Sequence, residues 1–228
     1  MLLNKPSIDA VAQFAGHDDA RYMLTGIHLE ASGNLIATDG HMLGIVTPGE
    51  PLPDADFPSV GQSTGEQPAL MPCTLALNGL MQVSKAIPKK SILPIIKHAL
   101  LDHTATNANG KAVFYVTDLD NPQIVNVAKL DGTVPNYAAV IPKDPPVYRI
   151  VFDAQLLKRL AVAALTLGKD DKQTTALELE FTTSGLQGMK ATSTNKDGQI
   201  LTAVVMPLKG TRPKEEYGLL VPAAIKSN

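Results

Sequence analysis

Residues 20–46 read ARYMLTGIHLEASGNLIATDGHMLGIV, and this stretch decides the fold. Residues 22–30 have strand character, Gly33 and Asn34 make a turn, and residues 35–46 contain a second strand. Four polar positions, Thr38, Asp39, Gly40 and His41, interrupt that second strand. The pattern predicts an antiparallel hairpin with a kink. Asp39 and Gly40 suit a tight turn, because glycine reaches positive φ without steric cost. Asp39 and His41 also admit a different reading, in which they join Asp118 and Asp120 as the metal ligands of an enzyme. The turn is the better account. No second His or Glu stands at ligand spacing on a predicted helix, and neither a nucleophile elbow nor a phosphate loop occurs in the chain.

Before this stretch, Ser7 is placed to cap a short helix in which Ile8, Val11, Ala12 and Ala15 recur at helical spacing. After it, residues 48–72 are rich in Pro, Gly, Ser and Asp and predict a long surface connection. A strand at 73–77 leads into a helix that Asn78 would cap and Pro88 would stop. Strands are expected at 92–101, 111–117 and 123–130, with turns at Asn109–Gly110 and at Asp120, Asn121 and Pro122. The proline-rich passage 131–146 reads as a domain boundary. Beyond it come a strand at 147–152, a helix capped by Asp153 and closed by Gly168, and strands at 176–182, 188–194 and 200–206. A helix with two or three strands beside it thus recurs three times, starting near residues 2, 73 and 147. This predicts an α+β fold of repeats, each with one apolar helix face and one sheet face to bury.

The 228-residue chain suits one large domain or two small ones. Aromatic residues make up 4% and Trp is absent, so Leu, Ile, Val and Ala must build the core. The formal charge of −2 argues against a wholly basic surface, yet residues 67–101 contain no Asp or Glu and include Lys85, Lys89, Lys90 and Lys97. A single cysteine, Cys73, allows no intramolecular disulfide and fits a reducing cytoplasm. The opening MLLNKPSID lacks the apolar run of a signal peptide, and no stretch reaches the ~20 apolar residues a membrane span needs.

Three segments, in order, resemble the bacterial sliding clamp, the ring-forming β subunit of the replicative polymerase. ARYMLTGIHLE with NLIATDGHMLGIV is similar to the start of the clamp's middle domain. KLDGTVPNYAAVIPKDPP, residues 129–146, is similar to a stretch late in that domain and its link to the last. AVVMPLKG, residues 203–210, is similar to the clamp's C-terminal strand. The helix AQLLKRLAVAAL falls where the last domain's first helix would begin. The resemblance implies a middle-domain-like part over 1–146 and a shortened C-terminal-domain-like part over 147–228.

It further implies a non-catalytic replication accessory protein, without cofactor or metal, whose groove accepts short peptides of polymerases or repair proteins. Leu24, Thr38, Gly40, His41 and Leu43 would form one wall of that groove. Pro135 and Val140 would continue it, and Val204, Val205, Met206, Pro207 and Leu208 would complete it. An apolar pocket with backbone groups at its rim suits a peptide with Leu or Phe anchors. Met42 and Ala139 stand where the family usually has Arg, which would make the groove less basic. If the chain forms a ring as a homo-oligomer, Lys85, Lys89, Lys90, Lys158 and Arg159 are the candidates to meet the phosphates of double-stranded DNA without reading bases. The alternative is a clamp-like peptide-binding adaptor or decoy that never encircles DNA.

Overall fold

A computed structural model describes residues 1–49, 69–89, 93–108, 110–132, 136–144, 150–169, 175–181 and 188–208. The chain divides into two compact units, residues 1–141 and 142–228. The sequence-based boundary at 146 lies outside the described residues.

Unit 1 contains two copies of one β-α-β-β-β arrangement. The first runs through β1 (Leu2–Asn4), α1 (Lys5–Ala12), β2 (Gly26–Leu29), β3 (Leu35–Thr38) and β4 (Leu43–Val46). The second runs through β5 (Cys73–Ala76), α2 (Leu77–Ala86), β6 (His98–Asp102), β7 (Lys111–Val116) and β8 (Gln123–Leu130). Two short helices, α3 (Pro94–Lys97) and α4 (His103–Ala108), flank β6. The eight strands form one antiparallel sheet in the order β1-β6-β7-β8-β5-β2-β3-β4. Each copy lends its first strand to the other: β1 pairs with β6, and β5 pairs with β2. β5 also pairs with β8 of its own copy, joining the two halves of the sheet.

Strand alternation places the core. On β7, Ala112, Phe114 and Val116 point inward, and on β6 Ala99 and Leu101 do so. Ile8 and Val11 of α1 and Leu80 and Val83 of α2 close over them with no exposed surface. The two helices meet around Ser84, which is wholly buried. Lys5 Nζ donates to Ser84 Oγ at 2.8 Å, Ser84 Oγ donates to Asp9 Oδ1, and Lys5 lies 3.0 Å from Asp9. Burial opposes ionisation of Asp9, but the bonds from Ser84 and Lys5 and the lysine charge together hold its carboxyl below the usual range.

Unit 2 contains one further helix and three strands among the described residues: α5 (Ala154–Leu167), β9 (Glu178–Glu180), β10 (Met189–Thr194) and β11 (Ile200–Val205). The sheet order is β11-β10-β9, antiparallel throughout. Its core is small: Leu160, Met189, Ala191 and Val205, with Phe152, Leu156, Leu177 and Ala203 against them. Asp153 caps α5 as the sequence predicts, accepting from the Gln155 N–H at 2.8 Å, and the N–H of Gly168 closes the last turn on Ala164.

Several local expectations give way. Asn4 rather than Ser7 caps α1; its side chain accepts from the Ser7 N–H at 2.9 Å. Asn78 lies inside α2, which begins at Leu77 without a side-chain cap. The strand expected over 22–30 is confined to Gly26–Leu29, because residues 19–25 coil into 3-10 turns that meet at a kink at Arg21. The strand expected over 92–101 begins only at His98, since Pro94 has no N–H to give a ladder and opens α3 instead. The break at residues 38–41 is a full reversal rather than a kink: Thr38 faces Leu43 across antiparallel β3 and β4. Most of the connection over 48–72, the start of the strand over 147–152, and everything after Leu208 lie outside the described residues.

Phe114 is the largest wholly buried side chain. Phe114→Ala should therefore destabilise unit 1 by about 3–5 kcal/mol, read as a lowered urea midpoint with an unchanged slope.

Candidate functional site

The reversal between β3 and β4 is built by two side chains. Asp39 Oδ1 accepts the N–H groups of His41 and Met42, each at 2.7 Å. Thr38 Oγ1 accepts from the Gly40 N–H at 3.1 Å and donates to the Met42 carbonyl at 2.6 Å. Gly40 has φ of +91°, a conformation that L side chains rarely adopt. A β-carbon there would also stand 3.2 Å from Arg21 Nη1 and 3.9 Å from Leu24 Cδ1, so the turn sits directly beside the coil of residues 19–25. The bonds from Met42 and His41 hold the Asp39 carboxyl below its usual range. Asp118 has the same engagement with Asp120 and Asn121. Two of the three carboxylates of the metal reading, Asp39 and Asp118, thus close their own turns. Among the described residues, no group of three or more His, Cys, Asp and Glu could hold a metal ion.

Beside this turn lies a small, open pocket on the sheet face opposite the core. Its floor is a row across three strands, Thr74 on β5, His28 on β2 and Ile36 on β3, which the ladder sets side by side. Period-two alternation explains the arrangement: Ile27 and Leu29 turn into the core, leaving Gly26 and His28 on the other face. Met23 and Leu24 form one wall, Thr38 the rim, and Tyr137 the far side. Gly26 is required here, because a β-carbon would stand 2.6 Å from Thr74 Cγ2 and 2.7 Å from Leu130 Cδ1.

Polar bonds fix the walls. Tyr137 donates its hydroxyl to Glu30 Oε1, and Glu30 Oε2 accepts from Asn34 Nδ2 at 2.9 Å and Ser32 Oγ at 3.0 Å. The Tyr137 bond, with those from Asn34 and Ser32, holds the Glu30 carboxyl low and pushes the phenol up. Tyr22 donates to the Asp131 carbonyl, and Thr25 Oγ1 to the Tyr22 carbonyl at 2.7 Å. His28 Nδ1 lies 3.3 Å from Thr74 Oγ1. Burial holds the imidazole below its ordinary value, against a weaker pull upward from Glu30.

Of the residues expected from sequence, Leu24 and Thr38 line this pocket, and Gly40 abuts Leu24 at its edge. His41 is exposed at the hairpin tip, Leu43 is half-buried on β4, and Val140 is 67% exposed just after the turn that carries Tyr137. Pro135 lies outside the described residues. In unit 2, Val204 and Met206 are exposed on one face, both over Gly188. Val205 points the other way into the small core, so its side chain is a packing residue. Pro207 is half-buried and Leu208 exposed, with the Leu208 N–H on the Val151 carbonyl at 2.7 Å. Lys85 is exposed in the last turn of α2 and Lys89 just beyond it, Lys158 and Arg159 are exposed on α5, and Lys90 is outside the described residues. Sequence reasoning missed Met23, His28, Thr74, Tyr137 and Arg21. A histidine alternating with apolar residues in GIHL was the one available signal. Arg21, ion-paired with Asp18 at 3.3 Å, places a guanidinium beside the turn at Gly40.

The fold is that of a DNA sliding clamp. In particular, the chain is similar to the DNA polymerase sliding clamp of Bacillus subtilis, with a TM-score of 0.66 and 17% identity over 91% of this chain and 48% of that one. It is similar to the β subunit of DNA polymerase of Streptococcus pyogenes, with a TM-score of 0.62 and 16% identity over 92% and 50%. The sliding clamp of Pseudomonas aeruginosa gives a TM-score of 0.63 and 14% identity over 92% and 52%. The chain spans about half the length of these clamps. No known family profile matches it, and no curated protein sequence does. Among the described residues, no helix is long and apolar enough to cross a membrane.

The lowered His28 pKa sets a direction for acid sensitivity. Below the ordinary value of 6.5, the unfolded chain binds the proton that the buried imidazole resists, so stability rises with pH between the folded value and 6.5. Unit 1 should lose stability as pH falls through about 6.5. Thermal melts of His28→Gln should lack that component while keeping the loss at lower pH from Glu30 and Asp9.

Proposed function

We propose that this protein is a sliding-clamp-like accessory factor of DNA replication in the cytoplasm, whose pocket at Leu24, Thr38, His28 and Tyr137 receives the apolar anchor of a short peptide from a DNA polymerase or repair protein. The observation that carries the reading is the pocket itself. It is concave, with Met23 and Leu24 as one wall and Ile36 on its floor, and rimmed by the polar groups of Thr38 and Tyr137. It is built from the first clamp-like segment of the sequence, closed by Tyr137 from the second. In unit 2, Val204, Met206 and Leu208 of the third segment are exposed as well. Burying two Leu or Phe anchors would contribute roughly 3–6 kcal/mol before ordering costs, which suits exchangeable, micromolar partners.

Lys85, Lys89, Lys90, Lys158 and Arg159 would hold double-stranded DNA through its phosphates, with a homo-oligomer closing around the duplex. An adaptor that binds the peptide without encircling DNA is the second reading.

A labelled short peptide with adjacent Leu and Phe between polar residues should bind with Kd of order micromolar by fluorescence anisotropy. Leu24→Asp should weaken binding at least about tenfold while leaving the melting curve nearly unchanged. No binding by the wild type would overturn the pocket reading. For encirclement, the protein should stay on closed circular DNA and slide off after linearisation. Equal loss from both forms would leave the adaptor.

A further inference from the structure

Among the described residues, four polar side chains line the pocket of unit 1: His28, Thr38, Thr74 and Tyr137. Three of them use their hydroxyls inside the protein. Thr38 Oγ1 donates to the Met42 carbonyl and accepts from the Gly40 N–H. Tyr137 donates to Glu30. Thr74 Oγ1 stands 3.3 Å from His28 Nδ1. The histidine keeps a second ring nitrogen, and among the described residues Nε2 makes no hydrogen bond. Nor is it sealed in the interior, since His28 is only partly buried and Nε2 is not a buried nitrogen lacking a bond. The lining holds no Lys, Arg, Asp or Glu. The nearby carboxylate, Glu30 on the same strand, is held by Tyr137, Asn34 and Ser32.

The ladder sets this imidazole in the middle of the floor, between Thr74 and Ile36. The contact with Thr74 decides what Nε2 can do. If Nδ1 carries the proton and donates to Thr74, Nε2 is an acceptor; if the Thr74 hydroxyl donates, Nε2 carries the proton and is a donor. A purely apolar anchor seated on the floor would strip water from Nε2 and return nothing, which costs affinity. A hydroxyl both donates and accepts, so it answers either tautomer. Tyrosine joins such a hydroxyl to an apolar ring, and the ring suits the wall of Met23 and Leu24.

We propose that His28 is the specificity-determining residue of the pocket: its Nε2, with the ring held by Thr74, selects an uncharged anchor that has an apolar body and a hydroxyl at its tip, a tyrosine side chain of the peptide in preference to leucine or phenylalanine. The inference rests on the peptide-pocket reading of the proposed function and names the chemistry of the anchor. A site that hydrogen-bonds a hydroxyl rejects the analogue without it more sharply than an apolar pocket discriminates by size.

The labelled peptide with adjacent Leu and Phe is compared with two derivatives in which Tyr replaces one or the other. One of the two should bind the full chain at least about tenfold more tightly than the parent by fluorescence anisotropy. His28→Leu should abolish that preference while still binding the parent peptide. His28→Gln, whose amide can donate and accept, should retain part of it. Thermal melts of both variants report that unit 1 stays folded. Wild-type protein that binds all three peptides equally would overturn the proposal and leave the pocket reading standing. A preference for Tyr that survives in His28→Leu would do the same. If the wild type binds none of the three, the pocket reading falls and the proposal falls with it.

Discussion

Unit 1 depends on one ladder, the antiparallel pairing of β5 with β2. Through it, Cys73–Ala76 of the second repeat runs along Gly26–Leu29 of the first, while its other edge holds Leu130 and Lys129 of β8. Without β5 in that place, the strands of the two copies would be separate small sheets, each with open edges. The ladder also makes the pocket, because it sets Thr74 beside His28 and His28 beside Ile36 on the face away from the helices. Gly26 and Thr74 show how close the fit is: the strand side chain fills the space a β-carbon would need.

With the helix side of the sheet occupied by α1 and α2, the pocket lies on the opposite face. It is not left bare. The coil of residues 19–25, kinked at Arg21, folds over its edge, and the Tyr137–Ala139 turn is tied to the β2–β3 hairpin through Glu30. These walls are loops on a rigid floor, the arrangement in which binding residues are commonly found. The contrast with unit 2 is one of completeness. Its core of Leu160, Met189, Ala191 and Val205 is what a single repeat can bury, and its helix keeps an apolar flank outside.

The metal reading and the clamp reading began from the same four residues, Thr38 to His41, and geometry separates them. Asp39 spends its lone pairs on the backbone of His41 and Met42, and Thr38 bridges Gly40 and Met42, so the cluster organises a turn beside an apolar pocket. The chemistry of the site follows from what surrounds that turn, chiefly Leu24 and Arg21.

The sequence by itself determined the recurring helix with its strands and the position of the key turn, while β1, α3 and α4 were not legible in it. Alternation in KAVFYV and QIVNVAKL, the Asp153 cap and Gly168 are local signals that tertiary contacts reinforced. It also marked Leu24 and Thr38, through segments resembling a known family. Only the tertiary structure decided the rest. Residues 22–25 have strand composition but coil into 3-10 turns, with Tyr22 bonded to the Asp131 carbonyl and Thr25 to the Tyr22 carbonyl. Val204, Val205 and Met206 are adjacent in sequence and equally apolar, yet pleating sends the middle one into the core. Tyr137 and Thr74 joined His28 in the pocket through pairings between residues far apart in the chain, which no local pattern encodes, because a strand's register is fixed by the partner it meets.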